Sequence, residues 1–253
     1  MSDRRSQAAV LFTIGVMALY LGVSDAALAY VKAGLQPLLL VSGGILVGLA
    51  VVAVVRYGRD QDRHQPHGPR VAWLLALPPL ALVLIAPPAL GAFAASRQAI
   101  RPPPISQPVR TDQATAGVDE ALFPPLVPPG DGAAVPLTLA EYLARDYEGP
   151  HTLAGVRIRL VGFVTPHPSG RDGYLLTRFA LNCCAADATA LKVAIHGDPL
   201  PRAPDTWLEV EGRWQQRTSG DPDQEASETP LLLAESIRVI KPPSPPYESG
   251  FPF

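Results

Sequence analysis

A small all-β domain carried on three membrane-spanning helices is the architecture that the sequence predicts. Apolar residues dominate positions 6 to 95, positions 96 to 136 carry nine of the 29 prolines without a sustained period, and five short strand-like runs separated by turn residues follow. The chain has 253 residues, 47% of them apolar, enough for one membrane region and one small domain but not for two large soluble domains. The net charge of −2 offers no broad basic surface and argues against a nucleic-acid partner.

The three spans follow from run length and charge. Residues 35–55 and 71–95 are apolar and uncharged, each long enough at about 1.5 Å per residue to cross a hydrocarbon core of roughly 30 Å. The first run, 7–23, is at the short limit, and Asp25 marks its end because a carboxylate is costly inside a membrane. Arg4 and Arg5 before an apolar run also suit a secretory signal, but the chain re-enters apolar sequence twice. Arg4, Arg5, Arg56, Arg59, Arg63 and Arg70 place the N-terminus and the loop 56–70 in the cytoplasm, so a multi-pass protein of the cell membrane sends everything after Ala95 outside. Pro78-Pro79 and Pro87-Pro88 kink the third span, and Gly43, Gly44 and Gly48 permit close helix contact in the second.

Residues 96–136 read as an extended proline-rich tether holding the next domain away from the bilayer. The folded unit, 137–241, opens with the capping box Thr138-Leu139-Ala140-Glu141 and a short helix to about Tyr147, ended by Gly149-Pro150. Strands are expected over 156–165, 173–181, 190–196, 207–214 and 231–240. Five short strands without crossover helices suggest an oligonucleotide/oligosaccharide-binding (OB) barrel, with Gly162 and Gly212 as bending sites and a small open sandwich as the competitor. The loop 197–206, with three prolines, replaces the usual helix between strands three and four, 215–230 is an acidic solvated loop, and 242–253 is a proline-rich tail.

The only two cysteines, Cys183 and Cys184, are adjacent at the end of the second strand. Three readings are open: small buried hydrophobes, a redox pair or strained vicinal disulfide, and two thiolates binding a soft metal or metalloid with Asp187 or His196 completing the shell. His64 and His67 in the cytoplasmic loop are three apart and read as part of a solvated loop. No nucleotide loop, hydrolase elbow, zinc-protease helix or paired-carboxylate arrangement is present, so no catalytic residue is assigned and no enzyme is expected.

Tyr30 and Pro37, Val161-Gly162-Phe163-Val164, Leu176, Arg178-Phe179, Cys184-Ala185-Ala186-Asp187, Trp207, Val210, Gly212 and the tail from Lys241-Pro242-Pro243 to Pro246-Tyr247 resemble, in order, the YcgQ-like bacterial membrane proteins. That group is described as permease subunits of unestablished function. The resemblance implies a non-enzymatic accessory subunit paired with a multi-span permease in the same bilayer. It carries over Cys184 and Asp187 more securely than Cys183, where a related member has histidine, and a position that takes either residue suits coordination better than an obligatory disulfide. The loop with His64 and His67 is much poorer in histidine than in some relatives.

Overall fold

The computed structural model describes residues 4–59, 88–99, 123–130, 132–167, 173–216 and 229–249. The chain divides into two compact units, a helical one of Met1–Ala89 together with Cys183–Ala185, and a β unit of Leu90–Asn182 together with Ala186–Phe253.

In the helical unit, α1 (Arg4–Val23) and α2 (Gln36–Arg59) are joined by 3₁₀ turns at Asp25–Ala29 and Ala33–Leu35. Asp25 ends the first apolar run as its charge predicts, and Pro37 occupies the first turn of α2, where its missing N–H costs nothing. Gly15 and Gly43 bring the two helices together: a Cβ on Gly15 would lie 2.9 Å from Val47 Cγ2 and 3.0 Å from the Gly43 carbonyl. Gly44 and Gly48, also expected at a close contact, have nothing within 4 Å among the described residues. Leu38, Val41, Ile45 and Leu49 leave α2 with an exposed apolar face. Among the described residues one helix, Ala33–Arg56, is long and apolar enough to cross a membrane, and Ala8–Val23 is a shorter apolar helix. Most of the third expected span, the histidines of the 56–70 loop and the core of the acidic 215–230 loop lie outside the described residues.

The β unit holds α3 (Ala92–Ser96), β1 (Val135–Pro136), α4 (Leu139–Glu148), β2 (Arg157–Pro166), β3 (Tyr174–Leu181), β4 (Thr189–His196), β5 (Trp207–Gln215), β6 (Leu231–Val239) and β7 (Glu248–Ser249). The sheet order is β1-β2-β5-β6-β4-β3-β7 with an additional β2–β3 pairing, so each of the five long strands has a neighbour on both sides. The long strands pair antiparallel except β4 with β6. They fall within a residue or two of the expected runs. The sheet nevertheless has seven strands rather than five, because two-residue β1 and β7, which pair parallel with β2 and β3, are too short to leave a periodic signal. Gly212 sits at a bulge in the β5–β6 ladder, the bend expected of it. The loop 197–206 contains no helix, as its prolines predict.

One face of the sheet surrounds a core of Ile158, Leu160, Val164, Leu176, Val193, Leu208, Val210 and Leu232, closed by Leu139, Tyr142 and Leu143 of α4. The Tyr142 hydroxyl donates to the Leu231 carbonyl at 2.7 Å. Thr138 Oγ1 caps α4 by accepting from the Glu141 N–H at 3.0 Å. Glu141 turns instead to Arg145, at 2.9 and 3.0 Å, and the remaining first-turn donors are satisfied from the far end of the sequence. The N–H groups of Leu139 and Ala140 donate to the buried carboxylate of Glu248 at 2.8 and 3.0 Å. Burial pushes the Glu248 carboxyl above its ordinary range, and these N–H groups and Arg178 offset that only in part.

β3 is buried on both faces. Leu176 and Ala180 belong to the core, while Leu175, Thr177, Phe179 and Leu181, of opposite parity, are at most 1% exposed. A second apolar layer explains this. Phe163, Phe179, Trp207 and Tyr247 contact one another with ring centroids 5.5 to 6.4 Å apart, and α3 packs on β2 and β3 with Ala92 and Ala95 buried. The Ala92 N–H donates to Asp205 Oδ1 at 2.6 Å and the Leu90 N–H to the Tyr247 hydroxyl at 2.8 Å.

This layer lies across three expected boundaries. Residues 90–95, read as the end of a span, belong to the β unit because their alanines fit against its aromatic face. Gln98 and Phe123 also lie in that unit, and most of the proline-rich segment between them is outside the described residues. Phe123 is buried beneath the Arg145 guanidinium, whose Nη1 donates to the Pro124 carbonyl at 3.1 Å. Finally, the tail residues Tyr247 and Glu248 are buried, so the domain does not end at 241.

Candidate metal centre

The run between β3 and β4 is a tight local loop. β3 ends at buried Leu181, the Asn182 N–H donates to Asp187 Oδ1 at 3.1 Å, and a single 3₁₀ turn, Ala185–Asp187, reverses the chain toward β4. That hydrogen bond closes the loop across the two cysteines and fixes the orientation of the carboxylate. Gln98 braces the exit: its side-chain amide donates to the Ala188 carbonyl at 2.9 Å and accepts from the Ala190 N–H at 2.8 Å. Its own carbonyl accepts from Lys192 Nζ at 2.6 Å, and burial lowers the pKa of that ammonium.

Cys183 is exposed, while Cys184 and Asp187 are half-buried. One ligand atom from each lies within 4.8 Å of the others. The two sulfurs are 3.7 Å apart as thiols, not joined in a disulfide. Two metal–sulfur bonds of about 2.3 Å at a tetrahedral angle hold their sulfurs roughly 3.8 Å apart. The spacing therefore suits one shared cation of zinc-like size, with Asp187 as a hard third donor and a fourth ligand needed to complete a tetrahedral shell. Coordination would require both thiols to lose their protons, which makes any affinity pH-dependent.

His196 does not join this group. It stands at the end of β4, and Asp187 precedes the start of that strand, so an eight-residue strand at about 3.3 Å per residue puts them roughly 25 Å apart. Its placement as a shell ligand is corrected by strand length alone.

His196 instead lines a cleft of about 970 Å³ with His167, Tyr174, Asp198 and Arg202. Asp198 organises the loop after β4. It accepts from Arg202 Nε at 2.7 Å and Nη2 at 3.2 Å, from the Tyr174 hydroxyl at 2.9 Å and from the Leu200 N–H at 3.1 Å. Burial alone would raise the Asp198 carboxyl, but Arg202, Leu200 and Tyr174 outweigh it and the pKa falls. Tyr174 moves upward through burial and the adjacent Asp198 acceptor and charge, and Arg202 upward through its bond to Asp198. Sequence reading passed over this cluster, although Asp198 and Arg202, four apart between prolines, were its visible trace.

Residues 138–248 match the family model described as the DUF1980 C-terminal domain, an uncharacterised family. The match takes in α4, the five long strands, the cysteine turn and Glu248, and none of the N-terminal helices. No curated protein and no solved structure matches the chain.

Proposed function

We propose that the chain is a non-enzymatic accessory subunit of a multi-span membrane permease, whose extracytoplasmic OB-like barrel holds a thiophilic metal ion on Cys183, Cys184 and Asp187. The observation that carries this reading is the cluster itself: three donors within 4.8 Å, two of them sulfurs at a tetrahedral spacing. The barrel is supported by the cycle of pairings β2–β3–β4–β6–β5–β2, with parallel β4–β6 as its closing step, the strand order of an OB fold. Membrane attachment is supported by α2 and by the arginine distribution that directs the β unit outward. The permease partner rests on the resemblance to the YcgQ-like proteins. A nucleic-acid role is poorly served, because residues 138–241 carry 11 basic and 14 acidic side chains, a net of 11 − 14 = −3. Arg157 and Arg159 are in addition paired with Glu211 and Glu235.

The full chain in mild detergent, reduced and titrated with Zn(II), is expected to bind one equivalent that Cys184→Ser abolishes and Cys183→Ser or Asp187→Asn weakens. Unchanged binding in Cys184→Ser would make the turn structural. Cross-linking in the native membrane is expected to capture a multi-span protein, and recovery of none would sink the subunit assignment.

A further inference from the structure

We infer that His167 and His196 form a second cation site, at the cleft beside β4 and independent of the cysteine turn. The last rungs joining three strands set Tyr174 of β3 between Pro166 of β2 and Ile195 of β4. His167, Gly173 and His196 each adjoin a residue of that rung, and extending the alignment by one residue sets Gly173 between the two histidines. Side chains level on adjacent strands point to the same face, and strands about 4.8 Å apart leave the two histidine Cα atoms roughly 10 Å apart. Gly173 has φ +128° and no side chain, and a Cβ built on it would meet nothing within 4 Å among the described residues. Both histidines line the same cleft, His196 exposed and His167 half-buried.

Two imidazoles across one glycine are a donor set for Zn(II), Cu(II) or Ni(II), each nitrogen about 2.0–2.1 Å from a zinc-sized ion and solvent completing the shell. Asp198 is not a third ligand, because its carboxylate is committed to Arg202, Tyr174 and the Leu200 N–H. It serves the site in two other ways. It fixes the proline-bearing loop that walls the cleft, and it neutralises Arg202, the nearby cation that would otherwise repel a metal.

The test uses the full chain in detergent carrying Cys183→Ser, Cys184→Ser, His64→Gln and His67→Gln, which removes the cysteine site and the loop histidines. Titration with Cu(II) alone is expected to give one bound equivalent with nitrogen hyperfine structure in its electron paramagnetic resonance spectrum. That equivalent should be lost in His167→Gln and in His196→Gln separately. Absence of binding in the parent, or binding unchanged when both are replaced, overturns the site. Should a variant fail to fold, paramagnetic broadening in the parent decides: of the three histidines left from five, 5 − 2 = 3, the resonances of His167 and His196 should vanish together, and broadening of His151 alone refutes the site. Because the parent lacks both cysteines, either outcome leaves the zinc reading of the turn untouched.

Discussion

Glu248→Ala tests whether the far end of the β unit is a structural clasp for α4. The wild-type carboxylate accepts from the N–H groups of Leu139 and Ala140 at 2.8 and 3.0 Å and lies 3.9 Å from Arg178 Nη1. Alanine orphans both donors inside the protein, and each buried unsatisfied donor costs about 1–3 kcal/mol. Against that, the variant no longer desolvates a carboxyl that is only 6% exposed, which returns part of the loss. The net expectation is destabilisation by about 2–4 kcal/mol, a fall in Tm of roughly 5–15 °C for a domain of this size. Glu248→Gln keeps one acceptor oxygen and should fall about midway. Unfolding of the full chain in detergent can be followed by tryptophan fluorescence, since two of its three tryptophans, Trp207 and Trp214, lie in the β unit. An alanine variant within about 0.5 kcal/mol of wild type would refute the clasp.

The acid limb of stability should depend on Asp198. A carboxyl held below its ordinary 3.8 in the fold contributes stability that is present above that pH and lost as pH falls through the lowered value. Asp198→Asn should therefore flatten the decline below about pH 4, and an unchanged acid limb would contradict the assignment. In Gly212→Ala the new Cβ meets the backbone of Leu233 and Ala234, including Ala234 Cα at 3.0 Å, and the cost should be about 1–3 kcal/mol by denaturant melt. Gly130→Ala, whose new Cβ would meet nothing within 4 Å among the described residues, is the neutral comparison. Ala95→Leu forces extra volume into a site with 0% exposure and should cost about 1–3 kcal/mol, whereas Phe93→Leu, at a position 73% exposed, should cost little.

The strands were legible because alternation such as Ile158, Leu160 and Val164 against Arg157 and Arg159 carries its period openly. α4 was legible for a related reason: Thr138 and Glu141 mark its start within four residues. What escaped was information held between distant parts of the chain. Residues 90–95 read as the end of a span because alanine and leucine are apolar in either setting, and only the aromatic face of β2 and β3 shows which they fill. Glu248 looked like one acid in a loose tail because a cap supplied from more than a hundred residues away leaves no local spacing. In the candidate site the pairing of Cys183, Cys184 and Asp187 was readable, since all three share one turn. The exclusion of His196 required knowing that β4 runs its full length between it and Asp187.

The clasp at Glu248 also bears on the order in which the chain can finish folding. α4 is synthesised before any of the long strands, and its cap at Glu248 comes after all of them. A growing chain halted before residue 248 carries α4 with two donors unanswered, and β3 without the parallel rung that β7 adds. The α3 segment waits as well, made well before the strands it shields. The contacts that tie α3, α4 and β3 to the tail therefore close only once the chain has passed Glu248.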